Sequence, residues 1–158
     1  MINLIAEADV SAATLSIELE RATIGYESRD DGSLYVREGG WFPFWIHVYD
    51  ASALIALGTY IEFRENATEL DRLKLSNMFN RYAFGICAYV LNDRLKIDHI
   101  LNYRDGLLRE NFIRVSRNFS AIISKSIREH DPDQLLLVPL SDGASGVEAG
   151  TLNSSSDQ

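Results

Sequence analysis

Residues 106–130 place Leu108, Phe112, Val115, Phe119, Ile122 and Ile123 on one side of a helix, at about 100° per residue. Arg114, Arg117, Lys125 and Arg128 form a narrow stripe nearly opposite. A helix that is apolar along one side must lay that side on another layer. The residues before it supply one, because their period changes to two. Leu95, Ile97, His99, Leu101 and Tyr103 share one face of a strand, and Lys96, Asp98, Ile100 and Asn102 share the other. That alternation marks a half-buried antiparallel strand. A long amphipathic helix following alternating strands restricts the chain to helices packed on a sheet.

The rest of the chain fits this frame. Asp9 is placed to cap a first helix over residues 9–22, with Gly25 in a helix-stop position beyond it. Tyr26-Glu27-Ser28, the Asp30-Asp31-Gly32 turn and Leu34–Arg37 make the first strand region. Residues 41–49 predict a second strand and Leu54–Phe63 a third. A weakly amphipathic helix follows over residues 67–82, and Ile86–Leu91 and Leu95–Tyr103 form a hairpin around Asn92-Asp93. Asp131-Pro132 ends the last helix. The order is α-βββ-α-ββ-α. This is an α+β fold with one antiparallel five-stranded sheet, its helices mainly on one face and its other face partly open. A chain of 158 residues suits one domain, here residues 1–132. Residues 133–158 read as an acidic, Ser/Gly-rich tail. The apolar run Leu135–Leu140 within it can dock as an extra edge strand, or on the open sheet face of its own or a neighbouring copy.

Composition excludes several classes. Apolar residues make up 46% and charged residues 24%, as in ordinary globular proteins. No apolar run approaches the ~20 residues of a membrane span. The net charge of −8 disfavours binding to phosphate backbones, so no nucleic-acid partner is expected. The charge is uneven: −7 over residues 1–63 (3 basic, 10 acidic), +4 over 64–130 (12 basic, 8 acidic) and −5 over 131–158 (no basic, 5 acidic). The first residues lack a basic stretch and do not read as a secretory signal, so a cytoplasmic location is expected. The single cysteine, Cys87, cannot form an intrachain disulfide and, beside Ile86 and Ala88, reads as buried filler.

Catalytic signatures are missing. His47, His99 and His130 sit on different elements without a cysteine partner, so no metal site is expected, and His99 reads as a satisfied core histidine. There is no phosphate loop, no G-x-G-x-x-G, no G-x-S-x-G and no acid/base carboxylate pair. No catalytic residue or cofactor is assigned, and the chain is not expected to be an enzyme.

The strongest candidate site is aromatic. Residues 41–49 hold Trp41, Phe42, Pro43, Phe44, Trp45 and Tyr49. Alternation puts Phe42, Phe44, Ile46 and Val48 on one face and Trp41, Trp45, His47 and Tyr49 on the other. If the Phe face meets the helices, the Trp face is an exposed aromatic patch suited to protein binding. Otherwise a dimer interface or the C-terminal segment covers it, with Leu135 and Leu137 as candidate contacts. The Arg114/Arg117/Lys125/Arg128 stripe is either solvated surface or a site for phosphate or an acidic partner.

Several local sequences resemble the YbjN family of small bacterial proteins over roughly residues 9–130. They are Ile24-Gly25-Tyr26-Glu27, Asp31-Gly32-Ser33-Leu34, and Asn77-x-x-Asn80-Arg81-x-x-Phe84 running into Ala88-Tyr89-Val90. The Trp41–Trp45 cluster and the acidic tail depart from the pattern. The resemblance implies a fold similar to type III secretion chaperones, which are homodimers that bind extended client segments. It also carries the family label of sensory transduction regulators. Three readings follow: a non-enzymatic protein-binding module, chaperone-like or regulatory and homodimeric; a small-molecule sensor or enzyme with an aromatic pocket on strand 41–49; or an interaction protein acting through its tail.

Overall fold

The structure, a computed structural model, describes residues 3–140. Of the expected tail over 133–158, residues 141–158 lie outside the described residues. The strands are β1 (Leu4–Ile5), β2 (Tyr26–Ser28), β3 (Leu34–Val36), β4 (Phe44–Tyr49), β5 (Leu54–Glu62), β6 (Cys87–Leu91), β7 (Arg94–Asn102) and β8 (Leu107–Leu108). The helices are α1 (Ala12–Arg21), α2 (Glu69–Tyr82) and α3 (Arg109–His130).

The sheet has six antiparallel strands in the order β2-β3-β4-β5-β7-β6, and β1 pairs with β8 as a separate two-stranded ribbon. The expected single five-stranded sheet is therefore corrected in two places. The first strand region is a hairpin of two three-residue strands, because the Asp30–Gly32 turn folds Tyr26–Ser28 back onto Leu34–Val36. The β1/β8 pair is two residues long, too short for period-two alternation to register.

Helix starts are set by capping chemistry. Asp9 does not cap α1; Ser11 does, its side chain accepting from the Thr14 N–H, while Asp9 lies in a short 3-10 turn. α2 starts at a full capping box, in which the Thr68 hydroxyl and the Asp71 carboxylate each satisfy the other residue's backbone N–H. Gly25 is not the stop of α1. The left-handed residue there is Thr23, with φ of 57°. Gly25 is needed for close approach: a Cβ would lie 2.7 Å from the Arg37 carbonyl oxygen.

All three helices bury their apolar sides in one core. Leu15 and Leu19 of α1, Leu75 and Phe79 of α2, and Phe112, Phe119 and Ile123 of α3 join Phe44, Ile46, Ile55, Leu57, Leu95 and Ile97 from the inner sheet face. Phe44 meets Phe119 edge-on at 5.2 Å between ring centroids. Each such side chain contributes about 1.5–3 kcal/mol when fully buried. On α3, Ser116, Ser120 and Ser126 are also buried, and the Ser120 hydroxyl accepts from the Phe42 N–H at 2.7 Å.

After α3 the chain turns back along β5. β4 is shorter than β5 and leaves the far end of β5 without a neighbour on that side. Residues 136–138 take this place: the Arg64 N–H donates to the Leu136 carbonyl and the Val138 N–H to the Glu62 carbonyl, both at 2.8 Å. Leu137, paired with Phe63, is only 2% exposed. The buried Asp131 carboxylate accepts the N–H groups of Leu135, Leu136 and Leu137 and so folds this return.

Candidate functional site: the outer face of the sheet

Sheet register assembles the outer face. Tyr35, Trp45, Gly58, Asp98 and Cys87 are paired in one row across five strands. Tyr60, Lys96 and Tyr89 form the next row, and His47, Ala56 and Ile100 flank on the other side. Among the described residues no helix packs over this face, and Tyr49, Tyr89, Leu91 and Ile100 are exposed.

The centre is partly shielded by its own contacts. Trp45 packs between Tyr35, at 4.8 Å between ring centroids, and Tyr60, at 6.4 Å. The Arg29 guanidinium lies over the Tyr35 ring at 4.9 Å, which leaves Tyr35 buried although it points outward. Lys96 sits 4.3 Å over the Tyr60 ring and 2.6 Å from the Asp98 carboxylate. A Cβ on Gly58 would lie 2.6 Å from the Lys96 Nζ and 2.7 Å from the Asp98 Oδ1, so glycine makes room for this ion pair. The Tyr89 hydroxyl donates to Asp98 at 3.0 Å. Burial, and then this bond to a carboxylate, push the Tyr89 phenol up to about 12. Burial lowers the His47 imidazole, with Lys96 acting in the same direction and Asp31 and Asp98 opposing it.

The structure divides the residues expected to act together. Trp45, His47 and Tyr49 point outward, but Trp41 packs against the hydrophobic core. Strand β4 starts at Phe44, and Trp41 closes the turn before it, its N–H donating to the Glu38 carbonyl at 3.0 Å, so alternation cannot be extended back to Trp41. Leu137 is in the core and Leu135 is exposed. The stripe on α3 also splits. Arg114 and Arg117 line a groove between α1 and α3, whereas Lys125 pairs with Glu129 at 3.7 Å and Arg128 is exposed. That groove, of about 720 Å³, contains none of the aromatic residues of strand 41–49, nor does the smaller cleft beside Phe84 and His99.

Cys87 corrects an expectation. It is exposed, because alternation on edge strand β6 turns Ala88 inward and Cys87, Tyr89 and Leu91 outward. The apolar neighbours in sequence were the misleading signal. The Nδ1–H of His99 donates to the Gly85 carbonyl, an assignment required because a carbonyl only accepts. Tyr60, Tyr89, Lys96, Asp98 and Ile100 belong to the outer face but were not singled out from sequence. The alternation of β7 carried that signal for Lys96, Asp98 and Ile100.

The YbjN family profile, described as "Putative bacterial sensory transduction regulator", matches residues 11–131. The chain belongs to the YbjN family. Its fold is similar to that in "Crystal structure of YbjN, a putative transcription regulator from E. coli". That match has a TM-score of 0.67 and 23% identity, and covers 82% of this chain and 97% of the other. No curated protein matches significantly. Ile24–Glu27 and Asp31–Leu34 shape the β2/β3 hairpin. Asn80 fastens α2 to β6, its side chain donating to the Ala88 carbonyl and accepting from the Ala88 N–H, each at 2.7 Å. No helix among the described residues is long and apolar enough to cross a membrane.

Proposed function

We propose that this YbjN-family chain is a non-enzymatic, regulatory protein-binding module, chaperone-like in the manner of secretion chaperones, and that its outer sheet face pairs with a second copy. The observation that carries this reading is the uncovered face itself. An open β-surface that keeps Tyr49, Tyr89, Leu91 and Ile100 in water beside the Tyr35–Trp45–Tyr60 cluster is suited to a partner that removes them from it. The Lys96–Asp98 pair at its centre adds a polar register mark. The family's description as a regulator and the lack of a catalytic set in the sequence support a binding role.

Sedimentation equilibrium of the full chain tests this, with Trp45→Ser and Ile100→Asp beside it. The full chain is expected to dimerise and both variants to shift towards monomer while keeping the native circular dichroism. A monomeric full chain at all accessible concentrations overturns the pairing, as does a dimer untouched by folded variants.

A further inference from the structure

The α3 basic stripe is not uniform once folded. Its first half, Arg114 and Arg117, joins Arg21 of α1 and Arg109 at the start of α3 around the open groove of about 720 Å³. Four arginines from two helices thus line one space, together with Glu18 and Glu110. Glu18 is 5% exposed and already engaged. It bridges Arg109 and Arg21, the latter at 2.9 Å. This buried acid holds those two arginines in position. Among the described residues, Arg114 donates only to the Asn111 Oδ1, at 2.8 Å, and no hydrogen bond or ion pair engages the Arg117 guanidinium. The local balance is therefore positive in a chain of net charge −8.

One further feature fits the same ligand chemistry. Ile113 and Ala22 line the groove between the charged groups and offer an apolar surface.

We propose that this groove binds a small organic anion. Its oxyanion, a carboxylate or a phosphate, lies between Arg114 and Arg117, and its apolar body rests on Ile113 and Ala22. Arg21 and Arg109, held by Glu18, complete the positive wall. The acidity of the rest of the chain disfavours a long polyanion, whose charge would extend beyond the groove. The site is independent of the outer sheet face.

Phenyl phosphate, benzoate, inorganic phosphate and neutral benzyl alcohol can be titrated into the full chain at constant ionic strength, by calorimetry and by NMR of arginine side chains. Phenyl phosphate or benzoate is expected to bind saturably and to move the Arg114 and Arg117 signals. Inorganic phosphate should bind more weakly and benzyl alcohol not at all. If phenyl phosphate binds and benzoate does not, the ligand class is phosphate; the reverse result makes it carboxylate. The double variant Arg114→Ala/Arg117→Ala should lose about tenfold in affinity or more, given the strength of charge-assisted hydrogen bonds. The double variant Lys125→Ala/Arg128→Ala removes the same charge from the same helix outside the groove and should bind normally. Each variant alters exposed side chains, and an unchanged melting temperature establishes that it is folded. Lack of saturable binding by all the anions overturns the proposal, as does equal loss in both double variants. Binding of only an acidic peptide or an oligonucleotide also overturns it.

Discussion

His47 lies on the outer face near the Asp31 turn, where a ring nitrogen is drawn out of water. Burial holds its imidazole below the ordinary value of 6.5. The folded state then binds fewer protons than the unfolded chain once the pH falls below that value. Stability from this residue is complete above it and declines as pH falls through the lowered folded-state value. The urea midpoint should therefore drop between about pH 7.5 and about pH 5, and His47→Gln should lessen the drop. Equal drops in both proteins would assign the effect to other groups. Asp31 titrates lower. The Ser33 hydroxyl and N–H hold its carboxyl below the usual 3.8, so its contribution is lost only as the pH falls below that value. At this scale the sequence was partly legible. Alternation grouped Trp45, His47 and Tyr49 on one face, which the structure turns outward, but it did not place Cys87, whose neighbours in sequence are apolar while its neighbours in space are not. Nor did it indicate that Glu18 would be buried between two arginines, because Arg109 comes from a different helix.

Among the elements, the long ones follow their periodicity. α3, α2 and the β6/β7 hairpin lie close to their expected residues because each repeats its pattern over several turns or pairs. Short elements do not, and β4 shows why. Its aromatic run continues back to Trp41, yet Trp41 belongs to the turn from Glu38 that precedes the strand, and it packs against the core. The return after α3 depends on one residue. Asp131 accepts three consecutive backbone N–H groups, and Gln134 takes a left-handed φ of 53° beside it. Asp131→Ala should cost about 1–3 kcal/mol, the range for leaving buried donors without a partner. Hydrogen exchange should speed up at Leu136 and Leu137 and stay unchanged in β7. Unaltered protection at Leu137 would mean that its packing alone holds the segment.

For the whole molecule, residues 136–138 belong to the packed structure. Leu137 fills the end of the core beside Phe63, and residues 136–138 satisfy the backbone of Glu62 and Arg64. A chain ending at residue 132 loses one fully buried leucine, about 1.5–3 kcal/mol. Its melting temperature should fall by roughly 5 °C, from the usual relation for a chain of this size. An unchanged melting temperature would show the segment to be a surface addition. This also bears on the tail reading, because a partner lost on truncation could be lost through this unpacking alone. A chain with Asp131 and residues 133–140 kept, and only 141–158 removed, separates the two.

Periodicity, turns and caps determined by themselves that this protein would be an antiparallel sheet with amphipathic helices on one side. They act between residues close in sequence, where spacing alone decides which side chains share a face. What only the tertiary structure decided is which faces meet. The sixth strand, the inward turn of Trp41, the burial of Leu137 and the gathering of four arginines at one groove all join residues far apart in the chain. Such contacts depend on packing volume and on hydrogen-bond partners that approach only after the layers close, and no local pattern encodes them.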